Sequence, residues 1–212
     1  MKDLNRDLQV YCSERINEFE LISDVRKKLL KEIAQYISYC FQNSVDMKLC
    51  FICTHNSRRS LFGQLWSQVA AKWIQLDDFR AYSGGTEATA ANERAIASLR
   101  RSGFIINNQS TVNKLNPRYV VKLADHADEM IVFSKVYTHP DNPEDDFAAI
   151  MVCSDAEQSC PFIPGAEKRF YLPYDDPKEF DGTAFEIEKY DERSKQIARE
   201  MLYLFMNVNM SL

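Results

Sequence analysis

Residues 47–53 (MKLCFIC) form a short apolar run that stops on a cysteine. A polar loop, THNSRRS, separates this run from the amphipathic stretch FGQLWSQVAAKWIQ. A brief apolar run reads as a buried strand, and the longer periodic stretch reads as a helix starting near Arg59. A strand that feeds a helix through so few residues belongs in an α/β fold. There, ligands bind at the carboxyl ends of parallel strands, where this loop sits.

The rest of the chain repeats the alternation. FRAYS (79–83) is a second candidate strand, closed by Gly84 and Gly85. ANERAIASLRRSGF is helical to Gly103. EMIVF (129–133), AAIMVC (148–153) and RFYL (169–172) are further short strands. Thr183 and Glu186 have capping-box spacing at the head of a last helix, whose apolar face is Ile187, Tyr190, Ile197, Met201 and Leu204. Residues 1–45 contain neither glycine nor proline. Leu4, Leu8, Tyr11, Cys12, Ile16 and Phe19 make one helical stripe. After Ser23, a candidate cap, Val25, Leu29, Ile33 and Ile37 make another. The expected organisation is a helical hairpin extension over 1–45 and an α/β domain over 46–212. The hairpin packs on its own domain or mediates a homodimer. The acidic stretch within 134–147 is expected to be a solvated excursion, with a lid or docking site as the sharper alternative.

Composition removes several classes of function. The net charge of −5 gives no general affinity for nucleic acid. No apolar run reaches the ~18 residues of a membrane span. The charged N-terminus lacks a signal-peptide core, so a cytoplasmic location is expected. In a reducing compartment the six cysteines are not a static disulfide framework. With three histidines and no zinc-like spacing, no metal or organic cofactor is expected.

Cys53 then has two readings. As half of a Cys50–Cys53 redox pair it fares badly. Three strand steps at ~3.3 Å each separate the two Cα atoms by ~10 Å. A disulfide needs less than ~7 Å. As a nucleophile it fits well, because loop amides and a helix N-terminus create a positive field that favours a thiolate and an oxyanion. Arg59 adds a bidentate fork, Ser60 a hydrogen bond to the sulfur, and Asn56 a brace for the loop.

FICTHNSRRS resembles the phosphate-binding loop of the low-molecular-weight protein tyrosine phosphatase superfamily, which includes the thioredoxin-coupled arsenate reductases. AYSGGTEA (81–88) resembles the family's Ser-Ala-Gly segment, and YDDP (174–177) its Asp-Pro motif. MVCSDAEQSCPFIPG, with Cys153 and Cys160, resembles the reductases' second cysteine pair and is similar to nothing general among the phosphatases. The likeness spans roughly residues 47–208. It implies a flavodoxin-like three-layer sandwich with about four parallel strands.

It also implies roles. Cys53 is the nucleophile, Arg59 and the loop residues Thr54, His55, Asn56, Ser57, Arg58 and Ser60 bind the oxyanion, and Asp176 is the general acid, with Asp175 the fallback. Cys153 and Cys160 complete a thiol–disulfide relay that thioredoxin would reduce, Cys160 lying on a mobile loop. The substrate is arsenate or a phosphate-type oxyanion. A phosphatase working through phosphocysteine is the alternative, and a non-catalytic oxyanion or thiol sensor the third. Three departures stand out. His55 replaces a glycine and would be strained at positive φ. Arg58 replaces a loop cysteine, either deepening the positive field or facing solvent. Gln64 replaces an acid that helps hold potassium in some reductases.

Overall fold

The computed structural model describes residues 3–109, 115–160 and 162–211. The chain begins with α1 (Arg6–Ile16) and α2 (Asp24–Gln42), then β1 (Lys48–Cys53), α3 (Arg59–Trp73) and β2 (Arg80–Gly85). There follow α4 (Glu93–Arg101), β3 (Ile105–Asn108), β4 (Tyr119–Lys122) and β5 (Met130–Val132). Last come β6 (Phe147–Met151), α5 (Ser154–Ser159), β7 (Ala166–Tyr171) and α6 (Glu186–Met206). No helix among the described residues is long and apolar enough to cross a membrane.

Strands β2–β1–β6–β7 form an all-parallel sheet in that order, with helices around it. The expected α/β architecture is the one observed. Residues 49–53 of β1 and all of β6 are buried, which is why both read as unbroken apolar runs. At Gly63, α3 crosses β1 so closely that a Cβ would sit 2.4 Å from the Phe51 ring.

EMIVF is a strand, but it does not join the parallel sheet. It contributes β5 to a separate antiparallel sheet, β3–β4–β5. Two of its three residues are only half-buried, so it lacks the two-sided cover of a central parallel strand.

The N-terminal helices share one continuous apolar core with the sheet. Asn5 caps α1 by accepting from Leu8 N, and Ser23 caps α2 by accepting from Arg26 N. Tyr11 stacks on Trp66 of α3, with ring centroids 5.1 Å apart. Glu18 pairs with Lys195 at 2.9 Å and Arg199 at 3.3 Å on α6. The expected stripe through Val25 is not buried there, since Val25 is 84 % exposed. Steps of four residues overshoot a full turn by about 40° each, so three steps from Ile37 carry Val25 off the buried face. Leu30, Ile33, Ala34, Ile37 and Cys40 make that face instead.

The capping box at Thr183 is also displaced. The Thr183 hydroxyl accepts from Phe185 N and the Glu186 carboxylate accepts from Gly182 N, while the helix starts at Glu186. Both side chains satisfy the turn before the helix rather than its first free amides.

Candidate active site

Parallel pairing brings the carboxyl ends of β1, β2 and β6 to one edge. Cys53 lies opposite Gly85, and Ile52 opposite Met151, so Cys153 falls just past the neighbouring strand. Gly85 has no room for a side chain, because a Cβ would lie 2.6 Å from Thr54 O and 2.8 Å from Asn56 N.

The loop between β1 and α3 is held by side chains. Cys53 is buried with its Sγ 3.1 Å from Ser60 Oγ. Asn56 Nδ2 donates to that same hydroxyl at 2.8 Å. The Ser60 hydroxyl thus sits between the Asn56 amide and the Cys53 sulfur and ties the start of α3 to the end of β1. Asn56 Oδ1 accepts from Lys135 N at 3.0 Å, which fixes the amide's orientation. Ser57 Oγ donates to Ala90 O at 2.6 Å and ties the loop to the segment before α4.

Two arginines enter α3 together. Arg59 Nη2 meets Asp176 Oδ2 at 2.7 Å and its Nη1 donates to Tyr174 O at 3.0 Å. Asp176 also accepts from Lys178 N, capping the short 3₁₀ turn Pro177–Phe180. Asp175, by contrast, is 91 % exposed in its side chain and pairs with Arg193. Arg58 turns inward. Its Nε donates to Tyr190 OH at 2.7 Å, and its Nη2 lies 3.3 Å from Asp181. Burial, with Asp181 adding to it against the effect of Arg58, pushes the Tyr190 phenol up to about 12. Tyr190 is therefore a neutral donor to Asp181, at 2.7 Å.

Cys153 is buried 3.5 Å from Thr54 Oγ1. It is also the N-cap of α5, its sulfur accepting from Ala156 N at 3.4 Å. Cys160 stands half-buried at the other end of α5, beside the Tyr137 phenol. Burial, then the Cys160 thiol, raises the Tyr137 pKa. Arg169 staples the end of α5, donating to Glu157 O at 2.7 Å and Cys160 O at 2.9 Å. Cys50 is remote from this chemistry in behaviour as well as in position along β1. Burial pushes its thiol up to about 12.

No protein-family model matches the chain. It is 31 % identical over 127 residues to an arsenate reductase 2 of Staphylococcus epidermidis, an alignment covering 60 % of this chain and 76 % of that one. It belongs to the superfamily of arsenate reductases and low-molecular-weight protein tyrosine phosphatases. An arsenate reductase of Staphylococcus aureus is 30 % identical over the same shares. In fold, the chain is similar to the low-molecular-weight protein tyrosine phosphatase of T. tengcongensis, with a TM-score of 0.50 and 18 % identity. That likeness covers 76 % of this chain and 98 % of the other.

As a member of this enzyme superfamily the chain has distinctive local solutions. The left-handed residue of the loop is Asn56, at φ 46°, so His55 carries no such strain. The His55 side chain is partly exposed, 3.8 Å from Glu87, and its carbonyl accepts from Ser134 Oγ at 2.7 Å. Gln64 accepts from Ser83 Oγ at 2.6 Å. The segment before Cys160 is not a mobile loop but the helix α5. Cys153 and the first-turn acids Asp155 and Glu157 supply its cap and favourable charges.

The start of the 134–147 stretch is not a solvated excursion either. Ser134 and Lys135 are buried against the Cys53 loop, and Val136 adds a parallel bridge to Gly85. Its acidic tip, Glu144 to Asp146, is exposed. Ser134, Tyr137, Tyr174, Asp181 and Tyr190 all touch the site and went unseen in the sequence. The Asp-Pro motif marks the neighbourhood of Tyr174 and Asp181, but no local pattern marks the other three.

Proposed function

We propose that this chain is an arsenate reductase working through a relay of Cys53, Cys153 and Cys160. The observation that carries the proposal is Cys153 seated against the hydroxyl of Thr54, the residue next to Cys53. A second thiol at that position stands ready to attack a Cys53 adduct.

In this scheme the Cys53 thiolate attacks arsenic. Arg59 and the amides of Thr54 to Ser60 hold the oxygens, and Asp176 protonates the departing hydroxide. Cys153 thiolate then attacks Cys53 Sγ. The sulfur–arsenic electron pair passes to arsenic, releasing arsenite and leaving a Cys53–Cys153 disulfide. Cys160 attacks Cys153, freeing Cys53 as a thiolate and forming a Cys153–Cys160 disulfide. A dithiol reductant such as thioredoxin returns two electrons, which suits a cytoplasmic setting. The last exchange needs α5 to unwind. Seven residues at helical rise separate its flanking cysteines by ~10 Å, and a disulfide needs under ~7 Å.

The test is NADPH oxidation with arsenate, thioredoxin and thioredoxin reductase. Arsenate-dependent turnover that disappears in Cys160→Ser is the expected result. No turnover in the native protein rejects the reductase assignment, and turnover that survives Cys160→Ser rejects the relay. One observation favours phosphomonoester hydrolysis instead. The intact α5 keeps Cys160 away from Cys153, whereas Cys53, Arg59 and Asp176 alone suffice for a phosphocysteine route.

A further inference from the structure

Glu200 on α6 is 3 % exposed, yet it is a carboxylate. It accepts from Arg26 Nε at 2.9 Å, from Tyr174 OH at 2.8 Å and from Gln196 Nε2 at 3.0 Å. Arg26 comes from the first turn of α2, and its guanidinium also lies over the Tyr174 ring, 4.5 Å from the centroid. It is thus the cation beside both the buried carboxylate and the buried phenol. Tyr174 is itself buried, and its backbone carbonyl receives Arg59 Nη1 at 3.0 Å. Asp176, which meets the other Arg59 nitrogen, lies two residues further along the same backbone.

These contacts form an unbroken path from an N-terminal helix to the reacting groups. A buried carboxylate is tolerable only when paired and hydrogen-bonded. Without Arg26, Glu200 loses its neighbouring cation and the Nε donor at 2.9 Å, and the rearrangement around it changes what the Tyr174 hydroxyl meets. Tyr174 would then shift at its ring end, while its carbonyl end is what Arg59 leans on.

We propose that Arg26 is a positioning residue for the acid loop: through Glu200 and Tyr174 it sets where Asp176 and the Tyr174 carbonyl stand relative to Arg59. The catalytic consequence rests on Asp176 being the general acid, as in the reaction proposed above. The mechanical claim does not.

The experiment compares Arg26→Met, Arg26→Lys and Glu200→Gln in the full chain. Leu30→Ala, a buried α2 residue outside the path, controls for general loosening of the helix. Amide hydrogen exchange over 173–181 reads the position of the loop without reference to activity. It should rise in Arg26→Met and Glu200→Gln, and stay at the native level in Leu30→Ala even if that variant melts earlier.

Hydrolysis of two aryl phosphates reads the acid. Phenyl phosphate needs its leaving group protonated, while 2,4-dinitrophenyl phosphate does not. Arg26→Met should lower kcat about tenfold on the first and much less on the second, a part of the roughly 10²–10⁴ that a general acid supplies. KM should hardly move, and Arg26→Lys should recover part of the loss. Unchanged exchange over 173–181, or equal losses on the two esters, overturns the proposal. If the native protein turns over neither ester nor arsenate, the enzymatic assignment fails, and the exchange arm still decides the positioning claim.

Discussion

Two adjacent aspartates separate clearly at the level of single residues. Asp176 is tied to Arg59 and to Lys178 N, while Asp175 faces outward on Arg193. Asp176→Asn should therefore cut kcat by roughly 10²–10³, within the range for loss of a general acid, with Asp175→Asn close to native. Steady-state rates on arsenate or an aryl phosphate check this, and equal losses would reassign the acid. Cys53 was legible in the sequence because its chemistry is local: strand, loop, Arg59 and Ser60 are contiguous. Tyr190 and Tyr174 were legible only as a helix-face residue and as part of the Asp-Pro motif, because their contacts with Arg58 and Arg59 join elements more than a hundred residues apart. Asn56 was legible as the brace of the loop, but its left-handed backbone was anticipated one residue early, at His55.

Among the elements, α5 carries the most consequence. Six residues of mixed polarity are too few to show a helical period, so the segment reads as a loop, and its helix depends on tertiary support. Arg169 supplies that support by holding two carbonyls at the helix end. Arg169→Met should speed formation of the Cys153–Cys160 disulfide several-fold, as a helix freed of about 1–2 kcal/mol of tethering opens more often. Mass-spectrometric trapping of thiols after a single turnover measures it, and a slower or unchanged rate would mean that opening does not limit the exchange.

The segment from Ser134 to Tyr137 behaves as a brace for the same region. Burial lowers the pKa of Lys135, so the folded state holds that proton less firmly than the unfolded chain does. The resulting cost is full below the lowered folded value and fades as pH rises toward the ordinary ~10.4. Lys135→Met should accordingly melt higher than the native protein at neutral pH, with the gap closing in alkali. The antiparallel strands β3 and β4 escaped the sequence pattern because they are four residues long and partly exposed, whereas β1 and β6 declare themselves by burial on both faces.

At the scale of the whole molecule, the N-terminal helices belong to one core with the sheet, and a charged seam closes the outer edge. Burial alone would raise the Glu18 pKa, but Lys195, Arg15 and Arg199 outweigh it and the net shift is downward. A depressed folded value means that the contribution is present above the unfolded ~4.3 and is lost as pH falls through the lower folded value. Glu18→Gln should thus cost on the order of 1 kcal/mol at neutral pH and nothing once the carboxylate is protonated in both states. Denaturant titrations at several pH values test that sign. The two helices of residues 1–45 were legible, though not the buried face of the second or which helix would receive them.

That partner is α6, whose residues are made last of all the described elements. During synthesis at about 5–20 residues per second, α1 and α2 emerge with their apolar faces bare and wait on the order of ten seconds for α6. The acid loop cannot settle before then either, because Tyr174 needs Glu200. Activity should therefore appear on nascent chains in a single late step, after the last helix clears the ribosome, and these early helices are the part of the chain most in need of a chaperone.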